Sequence, residues 1–184
     1  MKEGLCEGNQ VIATNNPAEG RKPRTRVLSD AELRSIWNAC GDDDPGHIVK
    51  LLLLTGCRRD EIGVLSWSEI DGGTMTISGE RTKNHLDHAL TLPPVALALL
   101  PALRTTRPYV FANHGRGFQN WGYAKIALDN RIAAAAGKPL APWVLHDLRR
   151  TMRTGLGKIG VPPHVAELVI NHVKGGVEGI YDFP

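Results

Sequence analysis

Two short segments that alternate apolar and polar residues lie in the middle of a chain whose other patterns are helical. Residues 74–78 and 86–92 alternate and are rich in strand-forming residues, and residues 79–84 suit the connection of an antiparallel hairpin. Helical patterns precede and follow this pair, so strands do not alternate with helices along the chain. This order argues against a doubly wound nucleotide fold. It predicts an α+β domain, mostly α-helical, with a small antiparallel sheet.

Capping and breaking residues mark the helix ends. Ser29 followed by Glu32 is a capping-box pattern, which predicts a helix that runs to about Ala39. The remaining periodic segments predict helices over residues 46–55, 59–65, 95–103, 118–136, 144–158 and 165–170. A third short strand is predicted at 109–111, which gives a three-stranded antiparallel sheet.

Length and composition favour one folded domain. The 184 residues suffice for one hydrophobic core and are too few for two well-built domains. Residues 1–20 contain few large apolar residues and are expected to be the stub of a missing upstream domain. Residues 21–28 are expected to form a basic linker, and residues 29–184 the folded domain.

The cysteines indicate a reducing compartment, and the hydropathy indicates that no segment crosses a membrane. Cys6, Cys40 and Cys57 are odd in number and far apart, so the sequence predicts neither a disulfide framework nor a zinc site. No apolar run is long enough to cross a bilayer. The net charge of +3 permits a nucleic-acid partner without requiring one. We therefore expect a cytoplasmic protein that has no membrane partner.

A set of polar residues suits the binding and transfer of a phosphate group. Its members are two arginines, a lysine, two histidines and a tyrosine: Arg58, Lys83, His146, Arg149, His172 and Tyr181. Glu61 lies one helical turn after Arg58, where it can hold the guanidinium. Neither a carboxylate cluster for a metal nor a Gly-rich nucleotide loop accompanies the set. The pattern predicts phosphoryl transfer on DNA through a phosphotyrosine, with protein cations in the place of magnesium.

Each member of this set also has an ordinary structural interpretation. Arg58 and Glu61 suit a surface ion pair, Lys83 a solvated turn, and His172 a helix C-terminus. Tyr181 suits an aromatic anchor for a terminal segment. Six further cations are candidates for DNA phosphate contacts or for solvated surface: Arg21, Lys22, Arg24, Arg26, Arg150 and Arg153. The order and the spacing of the whole set favour a site over six separate structural roles.

The chain resembles the catalytic domain of the tyrosine recombinases, specifically the phage-type integrases. The resemblance covers residues 27–184 and rests on five motifs in the order that the family has: T-G-C-R-R-D-E, T-K-N, L-H-D-L-R-R-T, N-H-V-K-G-G-V and I-Y-D. It implies that Tyr181 attacks the scissile phosphate and that Lys83 protonates the leaving 5′-oxygen. The other implied roles are phosphate stabilisation by Arg58 and Arg149, a hydrogen bond from His172, proton removal assisted by His146, and orientation of Arg58 by Glu61.

The resemblance also implies the partners and the setting. They are double-stranded DNA, further protomers in a tetrameric synapse, and accessory DNA-bending or excision factors, without a cofactor. The protein would be bacterial or phage-encoded and associated with the nucleoid when active. Residues 1–20 would be the remnant of a core-binding domain, and a C-terminal helix would be missing after Tyr181.

Three alternatives to a recombinase stay open at this point. The first is a type IB topoisomerase, which relaxes DNA with a similar site. The second is a DNA-binding relative without catalytic activity. The third is a protein-interaction domain, which would carry Arg58, Lys83 and Arg149 on separate faces.

Overall fold

The part of the chain that the structure describes contains seven α-helices, one short 3-10 helix (Trp67–Glu69) and one small sheet. The structure is a computed structural model, and it describes residues 24–103, 108–111 and 116–172. The elements are α1 (Asp30–Ala39), α2 (Asp44–Thr55), α3 (Arg59–Gly63), β1 (Ile70–Asp71), β2 (Thr74–Ile77), β3 (His88–Thr91), α4 (Pro94–Leu103), α5 (Trp121–Ala136), α6 (Leu145–Lys158) and α7 (Pro163–Val169). The predicted α+β class, mostly helical with a three-stranded antiparallel sheet, is confirmed.

The first helix begins at the predicted capping box. The Ser29 hydroxyl accepts a hydrogen bond from the Glu32 amide at 3.3 Å, and the Glu32 carboxylate accepts one from the Ser29 amide at 2.8 Å. These bonds satisfy backbone donors that the start of a helix leaves free. The short linker before α1 is also held, because the Leu28 amide donates to the Thr151 hydroxyl of α6 at 2.9 Å.

The third strand of the sheet was predicted at the wrong place. β2 lies in the centre, antiparallel to β1 on one side and to β3 on the other. Gly72 and Gly73 have positive φ angles of 51° and 88°, so the chain turns back tightly and Ile70 pairs with Met75. The predicted strand at 109–111 contributes one isolated bridge, between Tyr109 and Ser66.

The hydrophobic core surrounds α2. Ile48, Leu51 and Leu52 of this helix are buried, and α2 packs against α1, α3, α4 and α6. Leu148 of α6 belongs to the same core. Its burial fixes the rotation of α6 about its own axis, and with it the positions of the neighbouring residues on that helix. Among the helices described, none is both long and apolar enough to cross a bilayer.

Gly56 ends α2 in a backbone conformation that few other residues adopt. Its φ angle is 65°, and its amide donates to the Leu52 carbonyl at 3.0 Å. A Cβ atom at this position would lie 2.3 Å from the Sδ atom of Met152. The flexible methionine can move aside, but an L-residue keeps the cost of the left-handed conformation.

We expect Gly56→Ala to lower the free energy of unfolding by about 1–2 kcal/mol, the cost of a left-handed conformation for a residue with a Cβ atom. Urea titration measures this change. Gly155→Ala is the control, because a Cβ atom there has no neighbour within 4 Å. Inside α6, alanine should raise stability by about 0.5–1 kcal/mol. Equal stability of Gly56→Ala and the wild type would contradict the proposed strain.

Candidate active site

Five of the six residues predicted to act on phosphate line one cleft. The cleft has a volume of about 650 Å³, and its lining includes Arg58, Lys83, His146, Arg149 and His172. They come from the start of α3, the β2–β3 loop, α6 and the segment after α7. The sixth, Tyr181, lies outside the described residues. The condition for a protein-interaction domain, with Arg58, Lys83 and Arg149 on separate faces, is therefore not met.

Arg58 is held from two sides at the start of α3. Its Nη1 atom lies 2.7 Å from Oε1 of Glu61, and its backbone amide donates to Oε2 of the same carboxylate at 2.7 Å. Its Nη2 atom donates to the Asn171 carbonyl at 3.2 Å. Glu61 is only 4% exposed, so its contact with Arg58 is more than a solvated surface pair.

Arg149 extends from α6 toward the turn between α2 and α3. The residue is 6% exposed, and its Nη1 atom donates to the Gly56 carbonyl at 2.7 Å. Its Nη2 atom is buried and has no hydrogen-bond partner among the described residues. Burial lowers the pKa of this guanidinium, and repulsion from Arg58 lowers it further. Two guanidiniums that repel each other in this way would both be stabilised by an anion.

His146 lies one turn before Arg149 on α6. Loss of water contact lowers its pKa below the ordinary 6.5, and repulsion from Arg150 and Arg149 adds to this effect. The imidazole is therefore mostly neutral at pH 7. A neutral imidazole has a nitrogen that can accept a proton.

Asp147 connects the start of α6 to the basic linker. This carboxylate is fully buried and accepts hydrogen bonds from the Val144 amide at 2.9 Å and from Arg150 at 2.6 Å. Arg24 of the linker also donates to it at 3.2 Å. Arg24 and Arg150 were candidates for DNA contacts, and the structure shows that both pair with a protein carboxylate.

Of the other four candidates for DNA contacts, two pair with a carboxylate and two lie outside the described residues. Arg26 pairs with Glu32, and Arg153 lies 2.8 Å from Glu167. Arg21 and Lys22 lie outside the described residues. Arg150 and Arg153 line the cleft despite their ion pairs, so they add to its positive charge.

His172 follows α7 and is oriented by a carboxylate of that helix. Its Nδ1 atom lies 2.6 Å from Glu167, which also accepts from Arg153. Burial alone would raise the pKa of Glu167, but the hydrogen bonds from Arg153 and His172 outweigh it and lower the pKa. Glu167 therefore stays ionised and holds His172 at the edge of the cleft.

Sequence reasoning missed the polar residues that support the site. Asp147 and Glu167 anchor the elements that carry His146 and His172, while Asn84 and Asn171 connect the Lys83 loop to the segment after α7. Asp147 lies three residues after Val144, the residue that caps the start of α6, and this spacing suggests a capping role. No spacing pattern signals the Asn84–Asn171 contact, because these residues are 87 positions apart.

Three buried residues close to Arg58 carry side-chain atoms that could bind a metal ion. The ligand atoms of Cys57, Glu61 and His88 lie within 4.8 Å of one another. Burial raises the pKa of Cys57 to about 12, and both oxygens of Glu61 already accept hydrogen bonds from Arg58. A dication there would also face Arg58 and Arg149. The donor set therefore suits a buried polar support for Arg58 better than a metal ion.

We expect the imidazole of His146 to titrate below pH 6.5, and Arg150→Gln to raise its pKa, because one repelling charge is removed. NMR titration of the histidine ring protons measures both values. Because the folded pKa lies below the unfolded one, His146 lowers stability as the pH falls below about 6.5. Arg131→Gln is the control, since Arg131 pairs with Asp43 outside the cleft. An unchanged pKa in Arg150→Gln would refute the electrostatic cause.

Solved structures with the same fold include integrases and recombinases. The Tn1549 transposon integrase in complex with circular intermediate DNA superposes with a TM-score of 0.65 at 14% identity, covering 85% of this chain and 60% of that one. The catalytic domain of bacteriophage HP1 integrase gives 0.61 at 21% identity, covering 82% and 83%. A lambda integrase dimer bound to a COC′ core site gives 0.65 at 19% identity, covering 91% and 51%.

The chain spans about 60% of the Tn1549 integrase structure and 48% of a XerH recombinase structure. No curated protein matches it. The family model described as the phage integrase family matches residues 26–182, which include all the predicted catalytic positions. The chain therefore belongs to the phage integrase family.

Proposed function

We propose that this chain is the catalytic part of a site-specific recombinase, which cleaves and rejoins DNA to integrate or excise a mobile element. The observation that carries the proposal is the charge of the cleft. Arg58, Lys83, Arg149, Arg150 and Arg153 line it, against one carboxylate, Glu167. Such an excess of positive charge favours an anionic ligand, and a DNA phosphate is the anion on which the family's chemistry acts.

The proposed reaction is an exchange of phosphodiester partners. The phenolic oxygen of Tyr181 forms a bond to phosphorus, and the bond from phosphorus to the 5′-oxygen breaks. The phenolic proton passes to His146, and the leaving oxygen takes a proton from Lys83. The products are a 3′-phosphotyrosyl link and a 5′-hydroxyl. The link keeps the energy of the phosphodiester, so rejoining requires no nucleotide cofactor.

The geometry of the cleft supports separate roles for its cations. Arg58 and Arg149 are fixed by protein groups before any substrate binds, as stabilisation of a charged transition state requires. His146 is mostly neutral and suits the removal of a proton. Lys83 is exposed in its loop and suits donation of one. His172, held by Glu167, is positioned to donate a hydrogen bond to a phosphate oxygen.

The proposed partners follow from the same chemistry. The Tn1549 and lambda integrases were solved on DNA, and the lambda protein as a dimer. We extend this to double-stranded DNA and further protomers, up to a tetrameric synapse, as the partners of this chain, together with accessory DNA-bending or excision factors. The site of action would be the cytoplasm, at the nucleoid. Membership of the integrase family favours this function over that of a topoisomerase.

We expect the wild type to form an SDS-resistant adduct with a nicked suicide duplex from the ends of its own element, and Tyr181→Phe to form none while it still binds DNA. The phenylalanine lacks the attacking oxygen. A denaturing gel measures the adduct, and a mobility shift measures binding. Tyr123→Phe is the matched control, because Tyr123 is 79% exposed on α5, outside the cleft. An adduct that persists in Tyr181→Phe would refute the assignment of the nucleophile.

We expect the chain to bind DNA weakly and with a steep dependence on salt, because the contact is mostly with phosphates. Lys83→Ala should reduce the slope of log K against log salt by about 1, since it removes one phosphate contact. Fluorescence anisotropy at several salt concentrations measures the slope. Lys138→Ala, an exposed lysine beyond the end of α5, should leave the slope unchanged. Tight, sequence-selective binding by the chain alone would contradict this prediction.

A further inference from the structure

The loop that carries Lys83 is closed by its own hydrogen bonds. The Gly79 amide donates to Asp87 at 2.7 Å, and the Thr82 hydroxyl donates to the Leu86 carbonyl at 2.8 Å. Thr82 is buried, although Lys83 beside it is exposed. Because these bonds fix the shape of residues 78–87, the position of Lys83 depends on how the loop is attached to the rest of the domain.

Two side chains attach this loop to the body of the domain. Arg81 donates to the Glu61 carbonyl at 3.0 Å and pairs with Glu69. Asn84, directly after Lys83, donates from Nδ2 to Oδ1 of Asn171 at 2.7 Å. The second attachment joins the loop, at the wall of the cleft, to the buried segment between α7 and His172.

Asn171 contacts the phosphate-binding residues as well as the loop. Its backbone carbonyl accepts a hydrogen bond from Arg58, and its neighbour in sequence is His172. It has a positive φ angle of 48°, which asparagine tolerates and glycine adopts freely. Glycine would therefore suffice for this backbone. The side-chain amide adds the contact with Asn84 in a residue that is 8% exposed.

We infer that Asn171 is a positioning residue, which holds the Lys83 loop over the cleft through Asn84 so that Lys83 can protonate the leaving 5′-oxygen. The inference rests on the proposed function. It assigns different roles to the backbone and to the side chain of Asn171. The backbone carbonyl of Asn171 positions Arg58 at the phosphate, and its side chain positions the proton donor for the leaving group. Removing the side chain alone therefore affects the departure of the 5′-oxygen and leaves the phosphate contacts in place.

The test compares two nicked suicide duplexes in single-turnover cleavage. One has the natural 5′-oxygen at the scissile bond, and the other has sulfur in its place. A thiolate leaves without protonation, so a defect in proton donation disappears on the sulfur duplex. The variants are Asn171→Gly, which keeps the positive φ angle, and Asn84→Ala, which removes the other half of the contact. Lys83→Ala reports the complete loss of the donor.

We expect Asn171→Gly and Asn84→Ala each to slow cleavage of the natural duplex about tenfold, as part of the larger effect of a general acid, and to cleave the sulfur duplex within about twofold of the wild type. The double variant should be no slower than either single variant, because both remove one contact. Asn130→Ala, an exposed asparagine on α5, is the control and should match the wild type on both duplexes.

Each other result contradicts the inference in a recognisable way. If Asn171→Gly and Asn84→Ala cleave the natural duplex at the wild-type rate, the contact does not position Lys83. If they are slowed equally on both duplexes, Asn171 acts on the phosphate contacts or on folding and not on proton donation. If the wild type forms no adduct with either duplex, the proposed function itself fails, and the inference fails with it.

Discussion

The hydrogen bond from Arg149 to the Gly56 carbonyl is the interaction on which the geometry of the site depends. It joins α6 to the turn between α2 and α3 at 2.7 Å, across 93 residues of sequence. The left-handed conformation of Gly56 ends α2 and lets the chain enter α3 at Arg58. One backbone group therefore fixes the distance between the two helical segments that carry the arginines. Without it, the guanidiniums would be free to separate and reduce their repulsion.

The domain holds its positive charges together by using its carboxylates as supports. Glu61 holds Arg58, Asp147 holds Arg24 and Arg150, and Glu167 holds Arg153 and His172. Glu61 and Asp147 are buried and do not line the cleft, whereas Glu167 lines it together with five cations. The face toward the cleft therefore carries an excess of positive charge. A phosphate that enters the cleft meets charges already in place, and this preorganisation is how a protein stabilises developing charge without a metal ion.

The sequence predicts local features of this structure better than the contacts between distant elements. The Ser29–Glu32 capping box, the hairpin and the i, i+3 pair of His146 and Arg149 depend on short spacings, and the structure contains all three. The third strand was misplaced because the two-glycine turn at 72–73 decides the pairing, not the β-forming residues at 109–111.

Contacts between distant residues were beyond prediction from the sequence. Asn84 meets Asn171, and Arg149 meets Gly56, only after helices and hairpin have packed. The five cleft residues were predicted from their residue types, their order and their spacing, together with the resemblance to a family, whereas their supports Glu167 and Asn171 were not predicted. A carboxylate five residues before a histidine matches no local pattern. Its role depends on the short segment that bends back after α7.

Cleavage of a duplex with a methylphosphonate at the scissile position tests the central claim most directly. The claim is that Arg58 and Arg149 act by compensating the charge of the phosphate, and the methyl group removes that charge. Arg149→Ala should cleave the natural duplex about 10²–10³-fold more slowly than the wild type and regain most of the rate on the neutral duplex. An equal loss on both duplexes would contradict the account, since Arg149 would then serve the fold and not the reaction.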